Sequence, residues 1–280
     1  MITLADAMAA ATATLQSAGN ESPRVDARVL AAHVLGLRAN QLASPEAKLS
    51  EGQAVAFNEA IRRRATGEPV AYITGHKEFF GLDFAVGPGV LIPRPETETL
   101  VEEALKDFPE TAPPPRVLDL GTGSGCLLIA FLANRPTATG MAIDGSGEAL
   151  KWCEHNVLHH QFEKRCELKL ADWQTGIAGL FDVIFSNPPY IETLHIPDLA
   201  ADVRSFEPLG ALDGGPDGLN AYRSLAPVLV AALTPGGSAY LEIGHGQHHM
   251  VSEVMESAGL KVARVVPDLA GIPRCVVVKR

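Results

Sequence analysis

The chain has 280 residues, 46% of them hydrophobic and 20% charged, which supplies a buried core and excludes wholesale disorder. A formal net charge of -10 argues against a protein that grips bare DNA or RNA through phosphates, though it leaves room for a locally basic groove or a protein partner with basic loops. No two of Cys126, Cys153, Cys166 and Cys275 form a Cys-x-x-Cys pair, no apolar run reaches the roughly 18 residues that span a bilayer, and the N-terminus lacks the positive start of a signal peptide, so a reduced, soluble, cytoplasmic protein is expected.

Residues 1–72 read as helical. The opening MITLADAMAAATATLQSAG is amphipathic, and Asp26–Leu37 sets Val29, Leu30, Val34 and Leu35 on one helical face behind the start signal Ser22-Pro23. A further helix runs over Ser50–Arg64 with Ser50 as N-cap, and its Arg62-Arg63-Arg64 run reads as a solvated end favourable to the C-terminal dipole. From Ala71 the texture changes to aromatic and β-branched residues broken by Gly and Pro, which predicts a β-hairpin linker over 73–92 with Gly81 near its turn. A helix over Thr97–Lys106 follows, closed by Pro113-Pro114-Pro115.

Beyond Arg116, strands and helices alternate. Strands are expected at 116–120, 140–144, 166–170, 181–186, 238–243, 261–267 and 274–279. That order predicts an α/β domain over 93–280 with a mainly parallel, doubly wound sheet of seven strands. The last two strands are joined only by PDLAGIP, too short for a helical crossover, and should be antiparallel.

The first chemical site opens where the strand Val117-Leu118-Asp119-Leu120 runs into Gly121-Thr122-Gly123-Ser124-Gly125 and a helix over Cys126–Ala133. Glycines at a strand-to-helix turn let the backbone approach a ligand. The spacing is not that of a dinucleotide fingerprint, whose third glycine would stand at Cys126, and no Lys-Ser/Thr follows to make a phosphate-binding P-loop. Asp119 is ill placed against a pyrophosphate and well placed against a cationic ligand, as S-adenosyl-L-methionine (SAM) is with its ammonium and sulfonium. Asp144, 23 residues after Gly121, ends the next strand and suits two ribose hydroxyls; after the third strand, Asp172 suits an adenine amino group and Trp173 the adenine face. The plainer alternative, helix caps and core filling, is as good for any one of these residues but poor for four in register at successive strand ends.

The second site is Asn187-Pro188-Pro189-Tyr190, at the end of the fourth strand and 66 residues after Gly121. An amide or aromatic amine nitrogen is a weak nucleophile because its lone pair is delocalised. The Asn187 side-chain oxygen and the Pro188 carbonyl can each accept one N–H, with bonds that strengthen as positive charge develops on nitrogen. They also aim the lone pair at the methyl group. The two prolines fix where that carbonyl points, and Tyr190 offers a flat face to a flat group. A Pro-rich turn that merely ends a strand is the plainer reading of this tetrapeptide taken alone.

Asp119 to Gly125 together with Asn187 to Tyr190 resembles the class I amino-methyltransferases, a Rossmann-like seven-stranded fold. Leu91-Ile92-Pro93-Arg94-Pro95-Glu96-Thr97-Glu98, Asp172-Trp173, Phe206-Glu207-Pro208, Glu242-Ile243-Gly244 and, in the leader, Ser22-Pro23-Arg24-Val25-Asp26 are similar to the PrmC/HemK family over nearly the whole chain. The resemblance implies N5-methylation of the glutamine in the Gly-Gly-Gln motif of class 1 peptide chain release factors, with S-adenosyl-L-homocysteine as product. It implies SAM contacts from Gly121, Gly123, Gly125, Asp144, Trp173 and Asn187, substrate glutamine on Asn187, Pro188 and Tyr190, and a helical leader that helps hold the release factor. Gly145-Ser146-Gly147 after the acid, and Ala270-Gly271-Ile272-Pro273 before Arg274, depart from the family's pattern.

Arg94 with Glu96 or Glu98 reads equally as a device that orients substrate or closes over cofactor and as a structural ion pair; Glu207 reads as support for the Asn187 turn or as a loop anchor. His245, His248 and His249 lack a completing carboxylate, and no metal is expected. Alternatives are a ribosomal-protein glutamine methyltransferase, an adenine N6 methyltransferase of nucleic acid, and a non-catalytic SAM-binding partner of translation factors. A monomer is expected, without membrane or direct nucleic-acid partners.

Overall fold

The computed structural model describes residues 2–37, 41–42, 46–175 and 177–280; Met1, 38–40 and 43–45 of the expected helical leader lie outside the described residues. The chain divides into two units, Met1–His76 with Ala200–Phe206, and Lys77–Leu199 with Glu207–Arg280.

The first unit packs α1 (Leu4–Ser17), α2 (Pro23–Val34), α3 (Glu51–Ala65) and the single turn α4 (Val70–Thr74), joined by α8 (Ala201–Phe206) from later in the chain. Leu15, Leu30 and Phe57 anchor its core. The Thr3 side chain caps α1, and Ser50 caps α3 in a reciprocal box with Gln53. The α2 helix begins three residues earlier than the sequence periodicity starts, because Pro23 is well suited to a first helical turn, where its missing N–H is not needed. The basic end of α3 is not uniformly solvated. Arg62 is exposed beside Glu59, but Arg64 is half-buried and pairs with the buried Asp26 at 2.7 Å, where a carboxylate 38 positions away supplies the charge that water otherwise would.

The second unit opens within the hairpin of β1 (His76–Phe79) and β2 (Leu82–Ala85), at Lys77. Phe80 and Gly81, both at positive φ, make its two-residue turn. After α5 (Glu98–Asp107) come β3 (Arg116–Leu120), α6 (Cys126–Asn134), β4 (Thr139–Asp144), α7 (Gly147–His159), β5 (Cys166–Leu170), β6 (Phe181–Ser186), α9 (Asn220–Ala232), β7 (Leu233–Glu242), α10 (His248–Ser257), β8 (Lys261–Pro267) and β9 (Pro273–Lys279). The sheet order is β5-β4-β3-β6-β7-β9-β8, parallel except that β9 runs antiparallel to both its neighbours. The seven expected strands are all present. The β7 strand starts at Leu233 instead of 238, because Leu233 pairs with Phe181 across an irregularity that absorbs the Thr-Pro-Gly-Gly segment.

Side-chain alternation divides the core into two layers. Val117, Val183, Phe185 and Tyr240 point toward α5, α6 and α7; Leu118, Leu120, Ile184 and Leu241 point toward α9 and α10. Phe185 lies against Phe131 edge-on at 5.7 Å and against Tyr240 at 5.6 Å, two positions before Asn187. Phe185→Ala is expected to lower unfolding free energy by about 3–5 kcal/mol, measured by urea denaturation; a loss under 1 kcal/mol would show that this layer does not hold the end of β6.

Candidate active site

Strand register builds the site. Leu120 pairs with Ile143 on one side and Ser186 on the other, and Ser186 pairs with Leu241. The next residues along these parallel strands, Gly121, Asp144, Asn187 and Glu242, therefore emerge level at one edge. The chain runs from β3 outward to β4 and β5 and then returns to β6 on the other side of β3. That reversal is the switch point at which open sheets bind ligands.

A cavity of about 350 Å³ opens there, of a size that holds a small molecule. Gly121, Thr122, Gly123, Ser124, Asp144 and Trp173 line one part; Gly89, Val90, Leu91, Pro93, Arg94 and Thr97 line another, with Asn187, Pro189, Pro208, Gly210 and Ala211. Gly125 lies behind the wall, in a left-handed conformation at φ 83°, and a Cβ there would sit 2.8 Å from the Cys153 sulfur and 3.1 Å from Ile129. The Asp144 carboxylate accepts from Gly123 N and Ser146 N, both at 2.8 Å, which holds it at the cavity mouth with lone pairs to spare. Burial nevertheless raises its pKa. Trp173 is fixed by its Nε1–H, which donates to Ser224 Oγ at 2.6 Å, and its ring approaches Gly121.

Three supports converge on these walls. The buried Asn156 side chain donates to the carbonyls of Ala85 and Ser124 and accepts from Ala85 N, tying the hairpin to the glycine loop. Gly87 packs against Trp152 so closely that a side chain would overlap the ring, and the indole donates to Pro88 O. Glu207, buried, accepts from Ile92 N at 3.1 Å and from the Arg94 guanidinium at 2.5 Å. Arg94 is the one cation among the described lining residues, and it is already paired. A cavity with an acid at its mouth, largely apolar walls and no free cation suits a ribose-bearing cationic ligand better than a pyrophosphate.

On the side of β7, Asn187 Nδ2 donates to Thr97 Oγ1 at 3.3 Å, Thr97 Oγ1 donates to Glu242 Oε2 at 2.5 Å, and Tyr190 OH donates to Glu242 Oε1 at 3.2 Å. With its amide nitrogen committed to Thr97, Asn187 keeps Oδ1 on the opposite edge of the amide plane. Glu242 is 1% exposed, and burial pushes its carboxyl up to about 7. The Asp119 carboxyl is pushed to about 7 for the same reason, although the Thr122 hydroxyl donates to it at 2.7 Å.

Of the residues singled out from sequence, Gly121, Thr122, Gly123, Ser124, Asp144, Trp173, Asn187 and Pro189 meet at the cavity. Asp119 does not line it: the side chain is wholly buried beneath the loop, whose Thr122 it holds. Asp172 is exposed and accepts from Gln174 N. Pro188 is buried, and Tyr190 turns its hydroxyl to Glu242. Sequence reasoning gave Thr97 and Glu242 no partner and passed over Asn156 altogether. Glu242 stands at a strand end like Asp144, and that position was the available signal. Gly125→Ala should force both a strained φ and a clash with Cys153 and Ile129; a loss of about 1–3 kcal/mol is expected, read as a lowered thermal midpoint, and an unchanged midpoint would contradict this packing.

Two family models match the chain: the PrmC N-terminal domain over residues 6–75 and the methyltransferase small domain over residues 97–203. A release factor glutamine methyltransferase of Caulobacter vibrioides is 43% identical over 277 residues, covering 98% of this chain and 96% of that protein. One of Rhodospirillum rubrum is 43% identical over 267 residues, covering 95% and 82%. Among solved structures, a ribosomal protein L11 methylase from Lactobacillus delbrueckii subsp. bulgaricus superposes with a TM-score of 0.52 at 19% identity, over 70% of this chain and 83% of that one, which is a likeness of fold. The cavity chemistry agrees with the cofactor such a domain uses. With identity of this order over nearly its whole length, the chain belongs to the release factor glutamine methyltransferases, a family of class I SAM-dependent protein-(glutamine-N5) methyltransferases.

Proposed function

We propose that this chain methylates the side-chain N5 of the glutamine in the Gly-Gly-Gln motif of class 1 peptide chain release factors. The observation that carries the reading is the commitment of Asn187 Nδ2 to Thr97, which reserves Oδ1 at the cavity for an incoming amide N–H. When bound, SAM supplies a methyl group activated by a sulfonium and leaves as S-adenosyl-L-homocysteine. Asp144 holds the ribose hydroxyls, Trp173 covers the adenine, and Gly121, Thr122, Gly123 and Ser124 let the backbone lie along the ligand. Asp119 and Gly125 shape that loop from below. Asp172 reaches the adenine amino group only if its exposed side chain turns inward.

Asn187 Oδ1 and the Pro188 carbonyl each accept one N–H of the substrate amide. As the nitrogen bonds to the methyl carbon it loses amide resonance and gains positive charge, so both acceptors bind the transition state more strongly than the ground state. The nitrogen then sheds one proton to solvent and is left as a neutral N-methyl amide. Tyr190, with Pro189, confines the glutamine side chain. Residues 1–72 help hold the release factor, the linker 73–92 contains the hairpin of β1 and β2, and 93–280 carry out the chemistry. The enzyme acts as a cytoplasmic monomer on a protein; no described helix is long and apolar enough to cross a membrane, and the net charge of -10 suits a protein substrate better than bare nucleic acid.

Methyl transfer from labelled SAM tests the assignment, with purified release factor, its Gly-Gly-Gln→Gly-Gly-Ala variant, a ribosomal-protein mixture and duplex DNA offered in parallel. Label on the wild-type release factor alone is the expected result. Label on the Gly-Gly-Ala variant would move the target residue, and label on ribosomal protein or DNA would overturn the substrate.

A further inference from the structure

Resting on the amide-methylating role of Asn187, we infer that Glu242 is a positioning residue that acts through Thr97 to dictate which edge of the Asn187 amide faces the substrate. The three residues come from separate elements: Thr97 from the turn before α5, Asn187 from the end of β6, and Glu242 from the end of β7. Glu242 accepts from both Thr97 and Tyr190 and lies one strand over from Asn187 in level register.

The direction of each bond follows from proton counting. An ionised carboxylate only accepts hydrogen bonds. Facing it, Thr97 must spend its single hydroxyl hydrogen on Glu242 and turn a lone pair toward Asn187. Asn187 can then meet Thr97 only with Nδ2–H, and Oδ1 is left for the substrate. A protonated Glu242 can itself donate to Thr97. The Thr97 hydroxyl hydrogen is then free to point at Asn187, and the amide can turn over, presenting two N–H donors to a substrate nitrogen that has only hydrogens to offer. Tyr190 holds the second carboxylate oxygen and loses no partner in either state, so the switch runs through Thr97.

Among the described residues, the charged and titratable groups around Glu242 are few. Arg274 on β9 favours its ionised form, and Glu96 in the turn before α5 opposes it. Tyr190, Tyr222 on α9, Cys126 on α6 and Cys275 on β9 complete its surroundings, and burial raises the pKa of all four, so they stay neutral near pH 7. The carboxyl of Glu242 is pushed up to about 7, so ionised and protonated forms both occur in the working range. Because the ionised form sets the productive amide edge, turnover should rise with pH through this value and fall away below it. Asp119 titrates in the same range under the glycine loop, so only a change at Glu242 itself separates the two.

The test uses the full chain and three variants. Glu242→Gln removes the charge that obliges Thr97 to donate: its amide can turn either edge to Thr97, because the Tyr190 hydroxyl accepts as well as donates. It is expected to lower kcat by roughly two- to tenfold, to leave SAM affinity within about threefold, and to lose the acid limb near pH 7. Thr97→Val should reproduce the kcat loss, and Thr97→Ser should recover most of it. A second readout needs no substrate: the Asn187 side-chain amide resonances, observed by nitrogen-15 NMR, should titrate near pH 7 in the wild type and become flat in Glu242→Gln and Thr97→Val. Wild-type kcat and an unchanged acid limb in Glu242→Gln, or Asn187 resonances that titrate regardless of Thr97, would overturn the relay. If the wild type fails to methylate release factor, the substrate assignment falls, and the Asn187 titration still decides the relay.

Discussion

Leu120 has a parallel partner on each side, Ile143 and Ser186, and through Ser186 the register extends to Leu241. A shift of one residue in any of these ladders would turn every side chain on that strand to the other face and carry its terminal functional group out of the cavity. The cost of such a slip is large, because Leu118, Ile143, Ile184 and Leu241 are wholly buried and their neighbours face the opposite layer. The hydrophobic core thus fixes the height at which Gly121, Asp144, Asn187 and Glu242 emerge. Placement of the site is a by-product of packing two apolar layers on one sheet.

Around that edge, carboxylates divide by environment. Asp144 lines the cavity and accepts the backbone N–H groups of Gly123 and Ser146. Asp119 and Glu242 lie in dry positions, are pushed up to about 7, and each accepts from a threonine hydroxyl that in turn belongs to a functional segment. Glu207 is tied to Arg94 and to Ile92 N and shapes the opposite wall. Acids that do not line the cavity thereby set the geometry of residues that do, an arrangement in which low dielectric makes each hydrogen bond both stronger and more costly to break.

Much of this was legible in the sequence because the features concerned are local. Glycines at 121, 123 and 125, the acid ending β4 and the Asn-Pro-Pro-Tyr turn are forced by backbone demands within a few residues, and the alternation of strands and helices follows from periodicity. The antiparallel final pair followed from a connection too short to cross over. What was not legible depends on which strands become neighbours. Thr97 and Glu242 are 145 positions apart and Asn156 is 71 from Ala85, so no local pattern announces either contact. Arg64 read as solvated because its partner Asp26 lies 38 positions away. Asp119 read as a ligand-facing acid because strand ends usually open to the cavity, whereas its side chain points down beneath the loop that it steadies.

In the proposed reaction Asn187 serves the transition state and contributes little to holding the cofactor. The direct measurement is single-turnover methyl transfer by Asn187→Ala at saturating SAM and release factor, alongside calorimetric titration of SAM into the same variant. Methyl transfer should be abolished while much of the SAM affinity is retained. Retained methyl transfer at a rate near that of the wild type would contradict it and would place the amide-binding chemistry elsewhere in the cavity.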